Sequence, residues 1–131
     1  AKLKVGDLIG VGLGQGGGWG VAIVRWMQSE TPAHLELGAQ MLAPQAEPIA
    51  IKPVIAAADA LFQPALHLPE VRALQQAARI VAPRGSFQGL REFIIRTPEG
   101  TRTVRATQLL EQTDSMDLFF FSETAERRQV R

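Results

Sequence analysis

Cysteine is absent from the 131-residue sequence, and histidine occurs only twice. The first absence excludes disulfides, thiol nucleophiles and thiolate zinc sites, and it fits a reducing compartment. His34 and His67 lie far apart in the chain, and neither belongs to a cluster with the spacing of metal ligands. We therefore expect no metal site and no cofactor.

Long apolar runs are also missing. Arg25, Lys52 and frequent glycine and proline interrupt every apolar stretch before the roughly 20 residues that a spanning helix needs. The amino terminus lacks the apolar centre of a signal peptide. These absences predict a cytoplasmic protein that does not enter a membrane. Because the sequence starts at Ala1 rather than methionine, we expect a processed chain or a fragment of a longer protein.

Neither sign of charge dominates. The 14 basic and 13 acidic residues give a formal net charge of +1, with 4 basic and 6 acidic residues at positions 1–70 and 10 and 7 at positions 71–131. A dedicated nucleic-acid-binding protein is expected to be strongly basic. The balance therefore disfavours nucleic acid as a partner, although it leaves room for a local arginine patch in the second half.

Patterns typical of catalysis are equally scarce. The serines have no nucleophile-elbow context, and Asp7, Glu36, Asp114 and Asp117 are expected to be scattered over turns and solvent-exposed faces. Residues 12–17 spell a glycine-rich dinucleotide fingerprint, but the segment after them alternates like a strand, whereas the fingerprint needs a helix there. We predict a hairpin turn at this position, no catalytic residues and no enzymatic activity.

Alternation of apolar and other residues with a period of two runs through most of the chain, which predicts β-strands. In the first third it covers residues 5–13, 19–27 and 35–41, which are separated by glycine-rich and proline-containing turns. This arrangement predicts an antiparallel meander. A short strand is expected at residues 49–52, between two prolines.

The second half contains the clearest local pattern. Strands over 90–97 and 101–109 flank Pro98-Glu99-Gly100, and this spacing fits a type I turn with a glycine bulge and hence a hairpin. Three consecutive phenylalanines within 117–121 predict a strand buried on both faces. Between the halves we expect an irregular connection with one short helix or turn within 71–78, followed by a strand that could begin as early as 77 and run to 81.

These elements predict a mainly β protein of two small antiparallel barrel-like units with at most one short helix. Two units are expected because an isolated three-stranded meander exposes an apolar face. The predicted division is a β meander over 1–53, an irregular or short helical connection over 54–76, and a second β unit over 77–131 that contains the hairpin 90–109. One two-layer β domain is the alternative.

The arginines of the hairpin are candidate contact residues. If the Pro98 turn has its three-residue form, Arg96 and Arg102 lie opposite each other and Arg105 projects from the other face. Facing cations repel unless an anion lies between them, so Arg96, Arg102 and Arg105 form a possible contact for an anion or an acidic partner. The alternative is that these long side chains are simply solvated.

Two aromatic positions are candidates for an interface. By strand parity Trp19 and Trp26 lie on opposite faces, and Trp19 shares its parity with Val21 and Ile23. Trp19 is therefore expected in the core, which leaves Trp26 as a candidate contact residue. Phe120, in the apolar strand near the carboxyl end, is the second candidate.

Residues 23–27 (IVRWM) and 35–42 (LELGAQML) resemble the late strands of PilZ-type domains, and residues 5–8 (VGDL) resemble the strand before them. PilZ domains are bacterial six-stranded barrels, and many bind cyclic di-GMP through an Arg-x-x-x-Arg segment and an Asp/Asn-x-Ser-x-x-Gly motif. The resemblance implies that the first unit is half of such a barrel. Neither motif precedes Val5. Arg127 and Arg131 have the four-residue spacing, but they follow the strands and are interpreted as a solvated tail.

The resemblance favours a non-catalytic regulatory or interaction module related to cyclic di-GMP signalling, without the dinucleotide site itself. Residues 44–131 are similar to the β-rich extension of some bacterial PilZ-containing proteins. Expected partners are another protein or an upstream domain, and cyclic di-GMP only if the missing motifs lie upstream. The alternative is a small-barrel nucleic-acid-binding module in which Arg91, Arg96, Arg102 and Arg105 contact phosphates.

Overall fold

The structure, a computed structural model, describes residues 3–12, 14 and 17–124. Within this part of the chain the secondary structure consists of nine strands and one 3₁₀ turn, which confirms the mainly β class. The strands are β1 Leu8–Gly12, β2 Trp19–Thr31, β3 His34–Ala43, β4 Glu47–Pro53, β5 Gln63–Leu68, β6 Arg79–Pro83, β7 Glu92–Thr97, β8 Gly100–Gln112 and β9 Met116–Glu123. Three positions of the glycine-rich turn (13, 15 and 16) and the tail with Arg127 and Arg131 lie outside the described residues.

The first three strands form an antiparallel sheet in the order β1-β2-β3, as the alternation predicted. β1 pairs with β2 in an unbroken register from Leu8↔Ile23 to Gly12↔Trp19. The register between β2 and β3 shifts between Val24 and Trp26, so that Arg25 has no partner of its own. Such a bulge changes which face the following residues occupy.

The other six strands close into an antiparallel barrel in the order β4-β5-β6-β9-β8-β7. Alternate residues of every strand point inward and fill the interior with apolar side chains, because a small barrel has no room for a channel. The buried cluster consists of Ile49, Ile51, Ala65, Ile80, Ala82, Phe93, Ile95, Val104, Ala106 and Phe119.

Two strands of the barrel come from segments that were assigned to the meander or to the irregular connection rather than to the second β unit. β4 lies in the range 1–53 assigned to the meander, yet it pairs with β5 and β7 of the barrel. β5 lies in the segment 54–76, and Pro64 fits this strand because β5 pairs with β6 only from Leu66 onward. The expected helix is reduced to a 3₁₀ turn, Arg72–Leu74, because the left-handed Gln75 (φ 52°) ends it. No helix in the described residues is long and apolar enough to span a membrane.

The predicted hairpin is present as β7 and β8, but its turn is tighter than the three-residue form. Thr97 pairs directly with Gly100, whose φ of 133° suits glycine, and the Thr97 hydroxyl accepts a hydrogen bond from the Glu99 amide. As a result Arg96 faces Thr101, and Arg102 faces Ile95. The expected opposition of Arg96 and Arg102 is therefore wrong, because a two-residue turn moves the register by one.

β9 is buried on both of its faces, as the run of phenylalanines predicted. Phe119 points into the barrel, whereas Met116 and Leu118 point outward against the three-stranded sheet. The sheet covers the wall formed by β5, β6 and β9. The shared outer cluster consists of Val21, Ile23, Leu42, Ala43, Leu68, Val81, Met116 and Leu118. The sheet and the barrel therefore have a common apolar interface, which we call the sheet–barrel interface.

Candidate functional site

A bidentate ion pair joins the sheet to the barrel beside the apolar cluster. Arg25, the bulged residue of β2, donates from its two terminal nitrogens to the Glu111 carboxylate of β8 at 2.5 and 3.0 Å. Its Nε donates to Gln40 Oε1 at 2.8 Å, which fixes the plane of the guanidinium. The contact raises the pKa of Arg25 and lowers the pKa of Glu111. The bulge thus turns Arg25 toward the barrel.

A second polar contact lies at the start of the sheet. The Thr113 hydroxyl donates to the Gly6 carbonyl at 3.0 Å, and the Ser115 hydroxyl donates to the Asp7 carboxylate. The backbone amide of Lys4 also donates to Asp7, at 3.0 Å. The pKa of Asp7 is lowered mainly by the hydrogen bond from Ser115, and the hydrogen bonds from Lys4 lower it further. These bonds attach the loop before β1 to the β8–β9 turn of the barrel.

The two lowered carboxyl pKa values predict a loss of stability in acid. Asp7 and Glu111 titrate below their ordinary values of 3.8 and 4.5 in the folded chain, so the unfolded chain binds protons more readily. Their contribution is complete above the unfolded pKa values and is lost as the pH falls through the folded ones. We expect the melting temperature to fall progressively as the pH is lowered below about 5. The double variant Asp7→Asn/Glu111→Gln should show a flatter pH profile, and an unchanged profile would contradict these contacts.

Arg79 is a buried cation in the same interface. It is only 4% exposed at the start of β6, and its Nη2 donates to the Leu42 carbonyl at the end of β3, at 2.7 Å. Among the described residues its Nε has no hydrogen-bond partner. Burial lowers the pKa of this guanidinium. Arg79 therefore bonds the barrel wall to the sheet across the interface, and no carboxylate in the described part of the chain forms a salt bridge with it.

Asp117 was expected on a turn or an exposed face, but it is fully buried in β9. Its carboxylate accepts hydrogen bonds from the amides of Gly85 and Phe87, at 3.1 and 2.9 Å, and from Gln112 Nε2 at 2.8 Å. The carboxylate is satisfied by three donors, as a buried charge must be. It fixes the β6–β7 loop against the end of the barrel.

The two tryptophans lie on the same face of the sheet, so the parity prediction is wrong. Ile23 pairs with Gln40, and after the bulge at Arg25 Trp26 pairs with Gly38. Gly38 and Gln40 are two residues apart in β3 and lie on one face, so Trp26 lies on the same face as Ile23. Trp19 also lies on the face of Ile23, because the pairing of β2 with β1 has no register shift between these two residues. The expected core position of Trp19 is also wrong, since it is 66% exposed at the end of β2, beyond the contact with the barrel. Trp26 is 49% exposed, consistent with a contact residue.

The indole of Trp26 lies flat against the backbone of Gly38, where a methyl group would overlap its Nε1 and Cε2 atoms. We expect Gly38→Ala to displace the indole into solvent, because the Cβ occupies its position. In a Trp19→Phe background the fluorescence of Trp26 should shift to longer wavelength. Gly89→Ala is the matched control, since nothing lies within 4 Å of its Cβ position. An unshifted spectrum for Gly38→Ala would contradict the placement.

The candidate arginines of the hairpin do not converge. Arg105 forms an ion pair with Glu92 at 2.6 Å, and Arg102 forms one with Glu123 at 3.4 Å, on the other face of the hairpin. Arg96 stacks on the ring of Phe62, with Cζ 3.8 Å from the ring centroid. Since two of these cations are neutralised and the faces differ, the hairpin does not offer phosphates the continuous basic surface that the nucleic-acid alternative needs.

Phe120, the second interface candidate, is half-buried on the outward face of β9, where it pairs with Arg79 and Gln108. Arg91, named with the nucleic-acid alternative, donates to the Ser86 carbonyl at 2.9 Å. Its guanidinium also lies 5.6 Å from the centroid of Phe93. These contacts hold Arg91 against its own loop.

Two of the grooves at the surface of the barrel contain candidate arginines. One, of about 650 Å³, contains Val54, Leu90 and the paired Arg105, and Leu90 adopts a left-handed φ of 64°. The other, of about 420 Å³, contains Arg102 and the pair between His67 Nδ1 and Glu47 Oε1, which are 2.8 Å apart. Among the described residues, no three His, Asp or Glu side chains are grouped as metal ligands.

Sequence reasoning missed Arg79 and the pairing of Arg25 with Glu111. Arg79 could have been found, because it shares strand parity with Val81 and so places a charge on an apolar face. The partner of Arg25 could not, since it lies 86 positions away in the sequence and its direction depends on a bulge.

Comparison with known proteins gives two family matches that divide the chain at the start of the barrel. The model of the FimW C-terminal beta-barrel domain matches residues 49–124, and the model of the middle PilZ domain of the cyclic-di-GMP receptor FimW matches residues 1–48. A relative, the cyclic-di-GMP receptor FimW of Pseudomonas aeruginosa, is 30% identical over 89 residues. The match covers 67% of this chain but only 15% of the length of the relative. No solved structure matches. The resemblance to PilZ domains is thereby confirmed.

Proposed function

This chain belongs to the family of the FimW C-terminal beta-barrel domain, and from that premise we propose that it is a non-catalytic module of cyclic di-GMP signalling. In this proposal the sheet is the part of a PilZ domain that carries no dinucleotide-binding motif, and the barrel is its support. The related Pseudomonas aeruginosa protein is described as a cyclic-di-GMP receptor.

The observation that carries the proposal is the sheet–barrel interface. Ile23 and Leu118 are 0% and 4% exposed there, and the ion pair between Arg25 and Glu111 joins the sheet to the barrel at the border of the interface. Packed cores transmit displacement because they are dense. A conformational change in the PilZ half would therefore move the barrel with it. This coupling suits a module that relays ligand binding to a partner.

The dinucleotide site itself is proposed to lie outside this chain. The two motifs that PilZ domains use for cyclic di-GMP are absent ahead of Val5, and the described arginines at the interface are bonded to the protein itself. Arg25 is held by Glu111, and Arg79 donates to Leu42. Trp26 and Phe120 are proposed as contacts to another protein, because both expose aromatic surface beside this interface.

A chimera tests the positive part of the proposal. In the Pseudomonas aeruginosa relative, the matching 89-residue region is replaced by this chain, and cyclic di-GMP binding is measured by titration calorimetry. We expect binding to be retained, because the sheet completes the PilZ domain. The same protein with the region deleted is the negative control. Loss of binding in a folded chimera would contradict the proposal.

Titration of this chain alone tests the negative part. We expect no saturable heat with cyclic di-GMP, while the intact relative, measured in the same buffer, supplies the positive control. Saturable binding by the isolated chain would show that its own residues form a dinucleotide site and would overturn that part.

A further inference from the structure

From the arrangement of three side chains on the outer wall of the barrel, we infer that Lys52, Phe62 and Arg96 form a binding site for a phosphoryl group. This inference goes beyond the proposed function, and it concerns a surface formed by β4, β7 and the residue before β5. It does not depend on cyclic di-GMP.

The register of the barrel brings the three side chains together. Ala50 of β4 pairs with Arg96 on one side and with Pro64 on the other. Because alanine is small, the Arg96 side chain can cross β4 toward Phe62, and its Cζ lies 3.8 Å from the ring centroid. Lys52 lies two residues along β4 from Ala50, and its Nζ is 4.9 Å from the same centroid. Two cations thus meet at one aromatic ring.

Within the described residues no carboxylate lies at salt-bridge distance from Lys52 or Arg96. Elsewhere on the surface Arg84, Arg102 and Arg105 are each paired with a carboxylate. Two like charges held at one ring repel each other unless an anion lies between them. Phe62 is half-buried and Arg96 is exposed, so an anion can reach the site from solvent.

The chemistry of the two cations favours a phosphoryl group. A guanidinium stacked on a ring keeps its N–H donors in the plane, where they engage two oxygens of an oxyanion without leaving the ring. The Lys52 ammonium adds a second point charge. A phosphate monoester is close to doubly charged near neutral pH. It therefore matches two cations better than a single carboxylate does.

The test uses inorganic phosphate as the probe and follows backbone amide shifts by NMR, with acetate at equal ionic strength as the monovalent control. We expect saturable shifts around Lys52, Phe62 and Arg96 with phosphate and none with acetate. Affinity should fall about tenfold in Arg96→Gln and again in the double variant with Lys52→Gln. Arg84→Gln is the matched control and should bind like the wild type.

A second arm compares phosphoserine with adenosine monophosphate, and tighter binding of either one supports the site while identifying the source of the phosphoryl group.

Saturable shifts that persist in the double variant, or equal binding of acetate, would overturn the assignment. Absence of any saturable shift at low salt would also overturn it. Thermal melts of all variants confirm folding, and Phe62→Leu, which keeps the packing but removes the aromatic ring, should weaken binding because the guanidinium loses its platform.

Discussion

Phe119→Ala is expected to lower the free energy of unfolding by about 3–5 kcal/mol, the range for a fully buried phenylalanine. Phe119 is 0% exposed inside the barrel, and its ring lies 5.6 Å from Phe87 and 6.0 Å from Phe93 by ring centroids. Alanine leaves a cavity that a closed barrel cannot fill by moving a strand. The urea midpoint measures the effect, and Phe119→Leu supplies a milder variant that folds if the alanine variant does not.

The neighbouring phenylalanine is the matched control for this prediction. Phe120 follows Phe119 directly but faces outward and is half-buried. Phe120→Ala should therefore cost less than half as much as Phe119→Ala. The reverse order of the two effects would contradict the assignment of the inward and outward faces of β9.

Asp117→Ala is expected to lower the free energy of unfolding by about 2–4 kcal/mol, because three hydrogen bonds to a charged acceptor are lost. The amides of Gly85 and Phe87 would lose their acceptor, and the β6–β7 loop would lose its attachment. Hydrogen exchange should accelerate at these two amides before it does so in β9. Asp117→Asn should recover part of the stability, since the amide keeps one acceptor oxygen.

Asp114→Ala is the control for Asp117. Its side chain is 79% exposed and forms an ion pair with Arg84 at the surface, so the expected cost is below about 1 kcal/mol. Equal effects of Asp114→Ala and Asp117→Ala would contradict the buried position of the Asp117 carboxylate.

Sequence periodicity predicted most strands and the local pairings of the meander and the hairpin, but not the pairings that close the barrel. The alternation in β2, the hairpin around Pro98 and the two-faced β9 were all visible, because burial imposes a period of two on a strand. Closure of the barrel was not visible. A short strand was expected at residues 49–52, within β4, but it was assigned to the first unit, and the proline-containing segment that forms β5 was expected to be irregular. Their positions follow from pairing with β6 and β7 far along the chain.

The candidate residues show the same limit. Trp26 is exposed, but the parity argument that made it a candidate was wrong, because a single bulge at Arg25 reverses parity. The relation between Arg96 and Arg102 depended on one residue in a turn. Phe62 was not a candidate at all, since its contact with Arg96 joins residues that lie two strands apart in the barrel. Parity fixes a face only within an uninterrupted strand.

The sheet and the barrel are expected to unfold as one cooperative body, because they share an apolar core. Differential scanning calorimetry of the chain and of Ile23→Ala tests it directly. We expect one transition whose calorimetric and van't Hoff enthalpies agree. In the variant we expect a single transition at lower temperature, because Ile23 packs against the barrel wall. Two separable transitions, with only one of them shifted by Ile23→Ala, would contradict the claim.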